Sequence, residues 1–309
     1  MKTYKLSKET GWGEIPADTE TIVAHYRDGH TKRMTIPEFL VLGGSGRRNI
    51  VSIDCYTSGE KIPRHADVAD KLQHITFTGV DSLTNLARLA QITDQYPLAE
   101  FGILASYTWA ENGQRFLSPA AIKQVAHLPL SLNLSLHLCG KAAIDAAKGH
   151  WEEIDKLTGG SLDCFDRFQL NISTRKDTPK VCQTPPYDDQ EVIIQQRNAE
   201  ETQLFQETCE HWGCTHGHNY FSTLLDASGG HGIDTPISVL KGDYKVGYAG
   251  GINPDNVADK LSYLLLNGWV GDFWIDMESG VRTNDWLDLN KVERVLEICY
   301  NVLKGGCRK

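Results

Sequence analysis

The sequence predicts an α/β fold, a (β/α)8 TIM barrel with a small N-terminal β-hairpin extension, and three observations predict it. From residue 70 onward, short apolar runs alternate with helical patterns, and eight runs have strand character: 72–78, 99–105, 131–138, 165–171, 191–195, 220–225, 244–249 and 272–277. Alternation of this kind gives a parallel sheet, and eight repeats close it into a barrel. The 309 residues hold one barrel of roughly 250 residues plus a short extension. The last two runs each stop at a small-residue turn, Ala249-Gly250-Gly251 and Glu278-Ser279-Gly280, as the final two strands of such barrels do when they hold a phosphate.

The elements follow in order. Residues 1–45 form a β module: Thr21 to Arg27 and Thr31 to Ile36 read as a hairpin around an Asp28-Gly29 turn. Gly43-Gly44-Ser45-Gly46 reads as a linker, the barrel occupies 46–309, and Cys55 to Arg64 reads as loop. Helical patterns cover 82–92, 118–127, 198–212, 254–266 and 288–303, with Ser118 and Asn253 placed as N-caps. Ser173 to Asp189 is long for a βα loop and holds Pro179, Pro185 and Pro186; on the active face of a barrel it is positioned to act as a lid.

Composition narrows the function. The chain is 40% hydrophobic and 23% charged, which argues against disorder. Its net charge of −9 does not favour nucleic acid, whose recognition leans on Lys and Arg. Met1 to Lys8 has no apolar core of a signal peptide, and no apolar run has the length of a membrane helix. Eight scattered cysteines fit reduced thiols in a cytoplasm. The segment Cys209 to His218 is rich in metal-ligand types, but its spacing fits no zinc pattern, so no metal is expected. No dinucleotide or Walker fingerprint occurs, and no lysine stands at a strand end, so no cofactor or Schiff base is implied.

The chemistry gathers at strand ends. Glycines facing the helix start at Asn253-Pro254 expose backbone N–H groups to an anion, so Gly250, Gly251, Ser279 and Gly280 form a phosphate cradle, with Gly229 and Gly230 lining the same cavity. Asp226 closes an apolar strand on the catalytic face, where burial would help it hold a proton; capping the following Gly-rich turn is its structural alternative. Arg115 is a planar guanidinium suited to an anion, or a surface arginine after the Asn112-Gly113 turn.

Four collinear stretches carry a resemblance: Arg115-Phe116-Leu117-Ser118-Pro119, Leu224-Leu225-Asp226-Ala227-Ser228-Gly229-Gly230, Ala249 to Val257, and Asp276-Met277-Glu278-Ser279-Gly280-Val281. They are similar to Arg-Tyr-Val-Ser-Pro, Leu-Leu-Asp with glycines, Ala-Gly-Gly-Leu-Asn-Pro-Glu-Asn-Val and Asp-Val-Ser-Ser-Gly-Val of phosphoribosylanthranilate isomerases. From about residue 72 to 303 the chain resembles that family. The resemblance implies an internal aldose–ketose rearrangement of a phosphorylated sugar conjugate, with an acid at the ring oxygen and a base at the C2′ proton. It implies Asp226 as the acid and Arg115 as the clamp on a substrate carboxylate.

The pattern breaks at the base. The family's cysteine at the end of the first strand is replaced by Thr78, in Ile75-Thr76-Phe77-Thr78-Gly79, and a threonine hydroxyl is too weak an acid to serve unaided. Substitutes are His137 and Cys139 at the end of the third run, Asp81, His231 and, more remotely, Cys55; His137 is preferred. The expected partner is a small phosphorylated ligand, with no nucleic acid and no membrane, and the N-terminal module is a candidate for docking or homo-oligomerisation. The alternative function is a phosphate- or nucleotide-binding barrel without isomerase activity, or an enzyme of another class on the same scaffold.

Overall fold

The computed structural model describes residues 2–5, 19–26, 31–35, 50–57, 71–128, 132–171, 190–197, 221–229, 231–240, 245–266 and 271–304. The expected turn at Asp28-Gly29, the linker at 43–46, the loop 173–189, the helix 198–212, the cluster 209–218 and Gly230 lie outside the described residues.

The chain divides into two compact units, one made of residues 1–69 with 258–268 and 302–309, the other of 70–257 with 269–301. In the first, strands β1 (Lys2–Lys5), β2 (Thr19–Tyr26), β3 (Thr31–Thr35) and β4 (Ile50–Thr57) form an antiparallel sheet in the order β1-β4-β2-β3. The hairpin expected from sequence is the β2–β3 pair, with Ile22 opposite Met34. Two strands join it that the sequence reading did not supply, and the sheet runs past a boundary at residue 45. Cys55, read as loop, pairs with both Lys2 and Ile22. The signal was the alternation Val51-Ser52-Ile53-Asp54-Cys55, a two-residue period that a half-buried strand requires.

The second unit holds the barrel. Strands β5 (Leu72–Thr78), β6 (Ala99–Ala105), β7 (Leu134–Cys139), β8 (Arg167–Asn171), β9 (Glu191–Gln196), β10 (Phe221–Leu225), β11 (Val246–Tyr248) and β12 (Phe273–Met277) are all parallel. They close in sequence order, β12 pairing with β5. All eight expected strands are present. This unit also holds α1 (Leu86–Gln95), α2 (Pro119–Ala126), α3 (Lys141–Ala147), α4 (Trp151–Leu157) and most of α6 (Leu289–Leu303), while α5 (Val257–Leu266) falls, from residue 258 on, in the first unit. Helix α1 starts four residues later than the apolar period suggested. Asp81 Oδ1 accepts from Leu83 N and Thr84 Oγ1, which locks a turn, and Asn85 then caps the helix by accepting from Arg88 N. Ser118 caps α2 as expected, accepting from Ala121 N. Asn253 accepts from Asp255 N one turn ahead of α5.

Period two splits each strand between helices and barrel interior. Phe77, Phe101, Leu136 and Phe168 are fully buried on the outer set. The inner set is polar at the N-terminal end. Arg167 places Nη1 2.9 Å from both Glu100 oxygens and Nε 3.1 Å from Glu191 Oε2, which also takes Lys245 Nζ. Two cations thus face two carboxylates. Burial works to raise the Glu100 carboxyl, but Arg167 outweighs it and holds the group at about 2. Above this plug lies Trp274, whose ring stacks 4.3 Å from the Arg167 guanidinium carbon and packs with Ile193 and Leu224. A side chain at Gly247 would run into that ring.

Arg167→Met should destabilise the protein by about 3–5 kcal/mol, because it strands two buried carboxylates; urea denaturation checks it. The pH dependence has a defined sign. A carboxyl held down to about 2 in the fold, against 4.5 ordinarily, contributes stability that is complete above 4.5 and lost as pH falls toward 2. Acid titration of the wild type should show that loss, and Arg167→Met should flatten it.

Candidate active site

The C-terminal ends of the barrel strands surround a cavity of about 360 Å³, within the range of small-molecule sites. Its wall includes Thr78, Arg115, His137, Cys139, Asp226, Gly229, Gly250, Gly251, Ser279 and Gly280, while the candidates Asp81, His231 and Cys55 are not part of it. Leu224 and Ala249, which belong to the Trp274 cluster, also line it.

The cavity wall also holds an enclosed carboxyl that sequence reasoning gave no role. Asp276, on β12, is 6% exposed and accepts a 2.8 Å hydrogen bond from Thr78 Oγ1 on β5. Burial pushes its carboxyl up to about 7; the Thr78 hydroxyl opposes the rise, and Glu278, Glu100 and Asp226 add to it. The group therefore changes charge near neutrality, the condition for efficient proton transfer.

His137 is fully enclosed, and burial pushes its imidazole down to about 4, so it is neutral. Both nitrogens have partners: Nε2 lies 3.1 Å from Ser135 Oγ and Nδ1 lies 3.4 Å from Thr78 Oγ1. Because Thr78 spends its proton on Asp276, the network assigns the hydrogen to Nδ1. The donors then run Ser135 to His137 to Thr78 to Asp276, each polarising the next. The expectation that His137 takes a substrate proton gives way here: its nitrogens are engaged and its basicity is low. Thr78 is placed as a donor to the carboxylate.

The remaining substitutes fare no better. Burial pushes the Cys139 thiol up to about 11, which keeps it protonated. Asp81 is used structurally, accepting from Arg282 Nη2 at 3.0 Å and Leu287 N at 2.7 Å. His231 is exposed and is not part of the cavity wall, and Cys55 belongs to β4 of the other unit. Among the described residues, no group of three or more His, Cys, Asp or Glu is arranged to hold a metal.

Asp226 is 5% exposed at the end of β10. Its Oδ1 accepts from Ser228 N at 3.0 Å and Ser228 Oγ at 2.7 Å, and Oδ2 accepts from Gln195 Nε2 at 2.9 Å. It therefore caps the turn and faces the cavity at once. Reversal of the Gln195 amide would turn that neighbour into an acceptor for a proton on Oδ2.

The glycine turns hold backbone conformations that side chains resist. Gly250 and Gly251 have φ of 110° and 64°, a left-handed region where a side chain is strained. Gly251 O accepts from Asn253 Nδ2 and Asn256 Nδ2, which fixes the turn against the start of the α5 segment. Residues 232–235 lie alongside: a side chain at Gly250 would strike Thr235, and one at Gly251 would strike the Asp234 backbone. Gln169 Oε1 is buried with no hydrogen-bond partner among the described residues, while Gln169 and Asn171 line the cavity; an unfilled acceptor of this kind suits a ligand hydroxyl or amine.

Arg115 does not stand open to a ligand. Its Nη1 lies 2.6 Å from Glu278 Oε1 and its Nε 2.6 Å from Asp285 Oδ1. Glu278 occupies the position where the resembling family motif has serine, a difference visible in sequence but mute about its partner.

Gly102 makes room for the donor chain. A Cβ there would lie 2.8 Å from His137 Nε2 and 2.9 Å from Thr78 Oγ1. Gly102→Ala should therefore cost about 1–3 kcal/mol through overpacking, read by thermal denaturation.

Among known proteins, residues 189–298 match the family model described as N-(5′-phosphoribosyl)anthranilate (PRA) isomerase. No curated protein matches the chain. Among solved structures the chain is similar to N-(5′-phosphoribosyl)anthranilate isomerase from Pyrococcus furiosus, at 16% identity over 74% of this chain and 99% of that one, with a TM-score of 0.41. The stretch matched by the family model carries Asp226, both glycine turns and Asp276, while Thr78, Arg115 and His137 lie before it. The eight strands close in order into a (β/α)8 barrel, and residues 189–298 of it are similar to the phosphoribosylanthranilate isomerase family.

Proposed function

We propose that this protein is an isomerase that converts a phosphorylated sugar conjugate from its aldose to its ketose form, with Asp226 as acid and Asp276 as base. The observation that carries the reading is the placement of two enclosed carboxyl groups, on β10 and β12, facing one cavity whose rim is the two glycine turns. The phosphate would rest on the main chain of Gly250, Gly251, Ser279 and Gly280, near Gly229, and the sugar would reach down toward the carboxyls. Gln169 Oε1 and Asn171 offer polar partners to its hydroxyls.

In this reading Asp226 gives a proton to the ring oxygen as the C1′–O bond breaks and the attached nitrogen forms an iminium. Asp276 removes the C2′ proton, and the resulting enolamine tautomerises to the ketose. One proton enters and one leaves, so no outside oxidant or reductant is needed. Thr78 stands where the family's base would be, and its hydroxyl holds Asp276 by one oxygen, which leaves the other for substrate. A barrel that seats phosphate without turnover is the alternative, and the same experiments separate the two.

Turnover of phosphoribosylanthranilate, or of a conjugate with another aglycone, should fall by at least ~10²-fold in Asp226→Asn and in Asp276→Asn. Binding without turnover in the wild type would favour the phosphate-binding alternative. The pH profile of kcat/KM gives a second check. If Asp276 is the base, activity rises with pH through about 7 and the limb vanishes in Asp276→Asn. Thr78→Val removes the bond that favours the ionised carboxylate and should move the limb upward by roughly one pH unit. A limb that falls at the same pH would make Asp276 the acid and exchange the two roles.

A further inference from the structure

Part of the cavity wall is made by Leu104, Arg115, Phe116, Cys139 and Glu278, with Leu104 bridged to Phe116 and Arg115 paired to Glu278, which directly precedes the Ser279-Gly280 turn. The charge of this part is set by a short hairpin, β13 (Arg282–Thr283) and β14 (Trp286–Leu287), in which Arg282 pairs with Leu287 and Thr283 with Trp286. Only Asn284 and Asp285 connect the strands, and both have positive φ, 51° and 66°. A two-residue hairpin demands that conformation, and glycine ordinarily supplies it. Here neither residue is glycine, so strain of order 1 kcal/mol or more is held in place by other contacts.

Those contacts are specific. Arg282, 3% exposed, sends Nη1 to Gly79 O at 2.7 Å and Nη2 to Asp81 Oδ2 at 3.0 Å, tying the hairpin to the end of β5. Its Nε and Nη2 also donate to Asp285 O, at 3.0 and 2.7 Å. Asp285 is thereby held by its carbonyl on one side, while its carboxylate meets Arg115 on the other. Glu278 completes the set, and Arg282 Nε also lies 3.8 Å from Asp285 Oδ1, so Arg115 and Arg282 face Glu278, Asp285 and Asp81, a cluster of net charge −1.

Resting on the reading above, we infer that this part of the cavity wall accepts an aglycone that bears a neutral hydrogen-bond donor, such as a carboxamide or an amine, and discriminates against one that bears a carboxylate. Glu278 and Asp285 are the specificity-determining residues. An incoming carboxylate would have to displace one of them or lie beside both, and like charges brought together at a partly enclosed site are costly. A donor group meets Glu278 as an acceptor, and the Phe116 and Leu104 side chains give an aromatic ring an apolar wall.

The test is calorimetric binding of three stable ketose-phosphate probes, each an N-aryl-1-amino-1-deoxyribulose 5-phosphate, with a phenyl, a 2-carbamoylphenyl or a 2-carboxyphenyl group. The wild type should bind the carbamoyl probe at least roughly tenfold more tightly than the carboxyl probe. Glu278→Ser combined with Asp285→Asn frees Arg115 and should reverse the order, with thermal denaturation confirming that the double variant is folded. Equal binding of the two, or a wild-type preference for the carboxyl probe, overturns the inference and leaves the isomerase reading standing. Failure of all three probes to bind overturns both.

Discussion

Trp274 stacked on Arg167 is the contact on which the site depends. The indole lies across a glycine, Gly247, and over a guanidinium already neutralised by Glu100 and Glu191. A closed sheet of eight strands has an interior that side chains must fill. Here the N-terminal half is filled by balanced charge and the middle by Trp274 with Ile193 and Leu224. The cavity opens at the C-terminal end, with Leu224 and Ala249 of the Trp274 cluster in its wall. Asp276, two residues beyond Trp274 on β12, is shielded from water there, and burial is the largest cause of its shift.

Charge balance then divides the molecule's carboxylates by function. Glu100 meets a cation directly and stays ionised; Asp276 is buried among other carboxylates and meets only a hydroxyl that partly opposes the rise, so its carboxyl is pushed up to about 7. Groups with identical chemistry are set apart by what faces them. The same logic operates at the rim, where Arg282 spends its donors on carbonyls and Asp81 to hold a hairpin, and Arg115 is consumed by Glu278 and Asp285. Neither arginine is presented to the cavity as an uncommitted cation.

Glycine does three separate jobs around the cavity. Gly250 and Gly251 adopt backbone angles that side chains resist. Gly102 leaves space for His137 and Thr78, and Gly247 leaves space for Trp274. Only the first job leaves a mark in the sequence, as a paired-glycine turn before Asn253-Pro254. The other two are complements to side chains that are remote along the chain and close in space.

The amino-acid order was enough to fix the eight strands, the cap at Ser118, the glycine turns and the gathering of Asp226, Arg115, His137 and Thr78 at one end of the barrel, because period, capping and turn chemistry are local. Strand β4 was legible too, through its two-residue alternation. The partners were not. Thr78 and Asp276 are 198 residues apart, and Arg115 and Asp285 are 170 apart. Barrel closure joins the first strand to the last, and a hairpin returns across the rim, so tertiary structure alone decided which carboxyl titrates near neutrality and which arginine is already taken. A side chain's acidity and availability depend on the dielectric and charges around it, and closure brings those neighbours from opposite ends of the barrel sequence.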